Sequence, residues 1–208
     1  MTPGESWMIR TTGLVVVAVT RLSIGGSAPA QAPDAKVRIA PIGHGKVLRM
    51  TAVEALLLRA IAVARAAREH GNHPFGALLV SAEDEVLLEA ENTVVTQSDA
   101  TGHAETNLVR LASAAYSRTE LADKIVYTST EPCAMCAGAI YWAGIGRVVY
   151  ALAESELLTM TGDDPENPTL DLSCRQVFAA GQRAVEVFGP YELAEARAVH
   201  AGFWQPEA

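Results

Sequence analysis

The stretches TGHAETN (101–107) and STEPCAMCAGAIYWAG (128–143) constrain the fold of this chain more than any other feature of its sequence. Each carries groups that bind metal, and each sits where a helix is predicted to begin. Cys133 and Cys136, at i and i+3, present both sulfurs to one side of a helix start. The partial positive charge of a helix N-terminus favours thiolate over thiol. Pro132 suits the entry to such a helix, where its missing N–H costs nothing. His103 supplies an imidazole at the other helix start. Two thiolates and one imidazole suit Zn2+ and leave a coordination position open, the mark of a catalytic rather than a structural site. Glu105, two residues from His103, could lie beside that position and move protons there. A fold that satisfies both motifs must bring two helix N-termini together.

The flanking patterns supply the other elements. Thr51 is predicted to cap a helix with Val53, Leu56, Leu57, Ala60, Ile61, Ala64 and Ala67 at helical spacing, stopped by HGNHPFG (70–76). FGALLVSAEDEVLLEAEN reads as strands 75–81 and 85–91 around an acidic turn at Glu83 and Asp84. A helix is predicted from about 102 to 116, strands over 124–130 and 147–152, and a small-residue helix over 133–143. Residues 159–174, with two prolines, read as a long irregular loop. Residues 184–189 and 191–203 read as a closing strand and helix. Strands alternating with helices predict the α/β class, with a partly parallel sheet covered by helices.

Residues 1–48 differ from the rest. A short apolar run, Leu14–Val19, precedes Gly, Ser, Ala and Pro and is too short to span a bilayer. This leader is expected to be disordered or a mis-assigned start, with Met50 as an alternative start. A signal peptide cleaved near APA (28–30) is the other reading. The folded domain is expected over 49–208, in the cytoplasm unless the leader exports it. Three cysteines, two of them close together, suit a reducing compartment rather than a disulfide framework.

Charge bears on partners. The chain has 16 basic and 24 acidic residues, and only two acidic but five basic ones precede residue 49. Residues 49–208 therefore hold 11 basic and 22 acidic side chains, a net of −11. Such a surface attracts polyanions poorly, so nucleic acid is not the expected partner.

The pieces NHPFGALLV, HAETN, TSTEPCAMCAGAIYWA and RVVYAL resemble the cytidine-deaminase-like superfamily, and within it the bacterial guanine deaminase and nucleoside deaminase branch. The resemblance covers about 49–204. It implies a three-layer αβα sandwich around a mixed five-stranded sheet, in a chain that pairs as a homodimer. It implies one zinc ion on His103, Cys133 and Cys136, with Glu105 as proton shuttle. Asn92 matches an asparagine that contacts the base, although an asparagine at a strand end equally reads as a turn former. TGDD (161–164) resembles an acidic segment of that branch, which would make Asp164 a reader of amino or ring N–H groups; Asp163 and Asp164 equally read as a solvated loop. Gly162 stands where that segment has an aromatic. A C-terminal aromatic closes the site in such enzymes, and Phe203 or Trp204 would take that role. Trp142 is a candidate platform for the base, or else a core residue.

The resulting expectation is hydrolytic deamination of a small nitrogenous base, guanine in first place, with cytosine, other aminopurines, pterins and triazines open. Two other classes compete: a tRNA adenosine deaminase, and an inactive zinc-binding module. Cys174 is expected to be a buried free thiol. His44, His70, His73 and His200 have no partners at ligand spacing and are assigned to surface or loops.

Overall fold

The computed structural model describes residues 51–162, 164–165 and 167–204; the 1–48 leader, His44 and Asp163 lie outside the described residues. Helix α1 (Ala52–Glu69) begins as its sequence predicts. The Thr51 hydroxyl accepts the Glu54 N–H, and the Glu54 carboxylate accepts the Thr51 N–H. This reciprocal pair satisfies two N–H groups that a helix start leaves free. Leu56, Leu57, Ala60, Ile61, Ala64 and Ala67 form the buried face. Burying a side chain such as Leu57 or Ile61 contributes roughly 1.5–3 kcal/mol.

Strands β1 (Gly76–Val80) and β2 (Val86–Glu91) make a hairpin whose turn carries Asp84 at φ 63°. Then follow the short helix α2 (Val94–Gln97), α3 (Ala104–Ala115), the single turn α4 (Arg118–Leu121) and β3 (Ile125–Thr130). Helix α5 (Ala134–Ala143) ends at Gly144, which takes φ 91° and so relieves the strain a side chain would meet there. Next come β4 (Arg147–Leu152), α6 (Glu154–Thr161), α7 (Cys174–Ala179), β5 (Glu186–Phe188) and α8 (Ala194–Ala198).

The sheet order is β2-β1-β3-β4-β5. β1 is antiparallel to both β2 and β3, while β3, β4 and β5 run parallel. Alternate residues of each strand serve opposite faces, as the pleat requires. Ala77, Leu79, Val126, Val148 and Tyr150 join α3, α5 and α7 in one core layer. Leu78, Val80, Ile125, Tyr127, Val149 and Ala151 join α1, α8 and Leu157 of α6 in the other. The result is the expected mixed five-stranded sheet between two helical layers. Helix α1 lies so close to β1 that a Cβ on Gly76 would fall 2.5 Å from the Ala60 oxygen and the Ala64 nitrogen. Only glycine fits there.

The strand directions organise the site. β1 opposes β2 and β3, so β2, β3 and β4 all point the same way. Their C-terminal ends and the start of β1 share one edge of the sheet, and both metal-binding stretches lie there.

Several expectations are corrected. The stretch 159–174 is not all loop, since α6 runs into it from Glu154 and α7 begins at its last residue. α6 buries only Leu157 and Thr161, too few positions to give a periodic pattern. α7 is announced by Ser173 and Gln176, which form a second reciprocal cap. The terminal helix spans only Ala194–Ala198, and the turns after it are held by the Arg68 guanidinium on the Val199 and Ala201 carbonyls. His73 and His200 lie in loop and turn segments, as expected, but are buried, 5% and 1% exposed. They belong to an aromatic cluster with Phe75, Phe203 and Trp204, contacts between distant segments that spacing along the chain does not reveal. Cys174 is buried and unpaired, as expected. Among the described residues no helix is long and apolar enough to cross a membrane.

Candidate active site and metal centre

His103 and Cys133 are both helix N-caps, in extended conformation, and neither side chain caps its own helix. Both are therefore free to point outward from the helix start. The sequence pattern puts Cys133 inside the helix; the structure puts it one step before, with Cys136 at the third helical position. That is the spacing at which a capping side chain meets the first turn, so the two sulfurs converge. Their Sγ atoms lie 3.6 Å apart, and His103 Nδ1 is 3.7 Å from Cys133 Sγ and 3.6 Å from Cys136 Sγ.

These separations test whether zinc fits. A tetrahedral ion with Zn–S of ~2.3 Å and Zn–N of ~2.0–2.1 Å needs S···S near ~3.8 Å and S···N near ~3.6 Å. The triangle matches one face of that tetrahedron, so one zinc ion could be held by His103, Cys133 and Cys136. Among the described residues no fourth His, Cys, Asp or Glu joins this group.

The three groups differ in proton affinity. Cys133 is the thiolate, lowered to about 4, chiefly by the hydrogen bond from Cys136 and further by His103. Cys136 is raised well above the ordinary thiol range by its hydrogen bond with Cys133 and by burial. His103 is raised, first by its hydrogen bond with Cys133. A divalent cation would displace the protons on Cys136 and His103.

Glu105 is 4% exposed and lies in the first turn of the helix that begins at His103. Burial above all raises its pKa, and the Thr128 hydroxyl, donating at 2.6 Å, opposes that rise. Thr128 sits on β3, facing the helix that carries Glu105. A buried carboxyl with raised pKa beside an open metal position is suited to taking and returning protons.

Asn92 directly follows β2 on the same edge. Its neighbour Thr93 bonds the Gly102 carbonyl, one residue from His103. The side chain is fully buried; Oδ1 accepts the Val94 N–H, and Nδ2 has no partner among the described residues. Asp164 lies half-buried beyond the end of α6, with its N–H on the Thr161 carbonyl. Phe203 and Trp204 pack on His73, and Trp204 also on Phe75 beside the start of β1. Trp204 is 4% exposed and donates through Nε1 to His200 Nδ1. Trp142 does not join this group. It lies nine residues beyond Cys133, about 13 Å along the helix axis, and is 73% exposed. Within one chain it is a surface residue, neither core nor platform.

Two carboxylates at the site carry no motif of their own. Glu131, just before Pro132, is buried, and its oxygens accept the Cys174 and Glu154 N–H groups. It thereby caps α6, whose own N-cap Ala153 offers no side-chain acceptor, and ties α7 to the metal loop. Glu154 is half-buried and raised to about 8, first by burial and then by repulsion from Cys133, Glu105 and Glu131. The one signal for it is its position two residues past a parallel strand, where open α/β sheets gather their ligands.

The comparisons with known proteins agree with this geometry. Residues 50–152 match the family model for the cytidine and deoxycytidylate deaminase zinc-binding region. Over 150 residues the chain is 43% identical to the probable cytosine deaminase of Schizosaccharomyces pombe, covering 72% of this chain and 91% of that protein. It is 39% identical over 112 residues to the guanine deaminase of Bacillus subtilis, covering 53% and 71%. A solved structure from studies of A-to-I editing by tRNA:A34 deaminases superposes with TM-score 0.56 at 27% identity, over 70% of this chain and 98% of that one. The fold and site define a zinc-binding deaminase, a hydrolase acting on C–N bonds. The chain belongs to the cytidine and deoxycytidylate deaminase family.

Proposed function

We propose that this chain deaminates a small free base in which the amino-bearing carbon is joined through one ring nitrogen to a carbonyl. Cytosine and the pyrimidine ring of guanine both have this arrangement, and adenine lacks it. The observation that carries the reading is the buried Asn92 Nδ2, a donor without a partner among the described residues. An unpaired buried donor costs roughly 1–3 kcal/mol, and a carbonyl on the base would relieve it.

Zinc at the cluster supplies a Lewis acid that makes water a nucleophile near neutral pH. Glu105 accepts the water's proton and gives it to the ring nitrogen beside the amino-bearing carbon. It then takes the proton of the new hydroxyl on that carbon and passes it to the amino group, so that the C–N bond breaks, ammonia leaves and the carbon becomes a carbonyl. Thr128 holds the Glu105 carboxylate in place for both transfers. Phe75, Phe203 and Trp204 form an aromatic wall at the start of β1 that would exclude water from the ring.

The guanine expectation gives way to cytosine as first choice, supported by the match that spans 91% of a probable cytosine deaminase. Guanine is retained through the shorter match to a guanine deaminase. A tRNA substrate is disfavoured by the net of −11 over residues 49–208. A homodimer is part of the proposal: the outward side of the apolar helix α5 leaves Met135 37% and Trp142 73% exposed, a surface a second copy would cover.

The test is the initial rate of ammonia release from cytosine, guanine, adenine, cytidine, guanosine and a tRNA anticodon stem-loop at equal zinc-loaded enzyme. Cytosine is expected to lead, and Asn92→Ala to lower its kcat/KM by ~10-fold or more with zinc retained. A lead for adenine or the stem-loop would sink the reading. Light scattering checks the dimer.

A further inference from the structure

The ring edge that remains after Asn92 and Glu105 are assigned has a chemistry of its own. In cytosine the amino group faces the metal, the adjacent ring nitrogen faces Glu105, and the carbonyl takes the Asn92 donor. What is left is the N–H at the glycosidic nitrogen, a donor only. Buried, it needs an acceptor. Two carboxylates stand at the C-terminal edge of the sheet beyond β3 and β4, Glu131 and Glu154. Glu131 has both oxygens occupied by the Cys174 and Glu154 N–H groups. No described residue bonds the Glu154 carboxyl.

Glu154 is also well placed. Thr130 pairs with Leu152 at the ends of β3 and β4, so Glu154 extends past β4 beside the loop that carries Cys133. Its backbone N–H is pinned by Glu131, two residues from Cys133. Asn92 directly follows β2, which lies three strand spacings from β4, about 14 Å. That gap admits a flat ring with a hydrogen bond of about 3 Å on either side. A carboxyl carries an acceptor oxygen whether ionised or not.

We propose that Glu154 is a specificity-determining residue whose carboxyl oxygen accepts the N–H of the glycosidic nitrogen, so that the site takes the free base and rejects its nucleoside. The proposal rests on the reading of the site as a deaminase of a small free base. A nucleoside presents no N–H there, and a substituent on that nitrogen would press on the carboxyl.

The test compares cytosine with 1-methylcytosine, which differs only at that nitrogen, in zinc-loaded wild type, Glu154→Leu and Glu154→Gln. Wild type is expected to prefer cytosine by at least ~10-fold. Glu154→Leu should lower kcat/KM for cytosine by ~10- to 100-fold, mainly through KM, and leave 1-methylcytosine unchanged. Glu154→Gln keeps an acceptor oxygen and should restore most of the preference. A purely structural role would lower both substrates alike, so equal losses in Glu154→Leu overturn the proposal, as does an unchanged preference. If wild type favours guanine, guanine and 9-methylguanine replace the pair and the same ratio is read. Failure of cytosine as substrate is then distinct from failure of Glu154 as its reader. Turnover of no free base at all overturns both.

Discussion

The Thr128 hydroxyl donates a 2.6 Å hydrogen bond to Glu105, both side chains being buried. This contact joins the middle strand of the sheet to the helix that begins at His103. It works against burial, which raises the Glu105 pKa. Thr128→Val keeps the shape and removes the donor. Glu105 should then hold its proton to higher pH, moving the acid limb of the kcat/KM profile upward, with a loss of ~10-fold at neutral pH. An unmoved limb with normal zinc content would mean that the hydroxyl does not act through Glu105.

Glu105→Gln should keep the fold and the zinc but lower kcat by at least ~10²-fold, because the proton carrier is gone while the three ligands remain. The measurement is turnover alongside metal content. Near-normal kcat would remove Glu105 from the mechanism.

Cys133→Ser or Cys136→Ser leaves two strong ligands, and Cys174, bonded through its N–H to Glu131 at the start of α7, stands apart from the cluster. Zinc should be lost, and the melting temperature should fall by roughly 10 °C for a loss of about 3 kcal/mol. Full zinc occupancy in either variant would show the ligand set to be wrong.

His200 offers a test by pH. Burial, with some repulsion from Arg68, lowers it to about 4, below the ~6.5 of an unfolded histidine. Its Nδ1 accepts from Trp204 and its Nε2 faces the Thr130 hydroxyl at 3.4 Å, so the neutral ring is the one that fits. A histidine lowered in the folded state contributes stability that is complete above pH ~6.5 and lost as pH falls toward ~4. Between pH 7 and 5 wild type should lose about 2 kcal/mol more than His200→Gln, which does not titrate. Urea midpoints at the two pH values give the difference, and parallel losses would contradict this account.

The strongest local patterns are legible in the amino-acid order itself. The cap at Thr51, the apolar stripe of α1, β4 at 147–152 and the two metal-binding stretches depend on neighbours within a few residues. The short helices α6 and α7 give no periodic pattern, because each buries only two side chains and is held by Glu131 from a remote strand end; the cap at Ser173 and Gln176 is the one local signal between them. Trp142 falls outside the site because helical spacing tells which residues share a face, not how far along the axis the site extends.

The sequence by itself determined the chemistry of this protein: thiolates at i and i+3 of a helix start, an imidazole at another, and a carboxylate two residues from it. Those groups act through local geometry, so their spacing is readable. The tertiary structure alone decided who else stands at the edge of the sheet. Because β1 opposes both neighbours, Asn92, Thr130, Glu131 and Glu154 arrive there from strands far apart in the chain. Burial there leaves the Asn92 amide without a partner among the described residues and engages both Glu131 oxygens with the Cys174 and Glu154 N–H groups. Each of those hydrogen bonds depends on long-range packing that spacing along the chain does not encode.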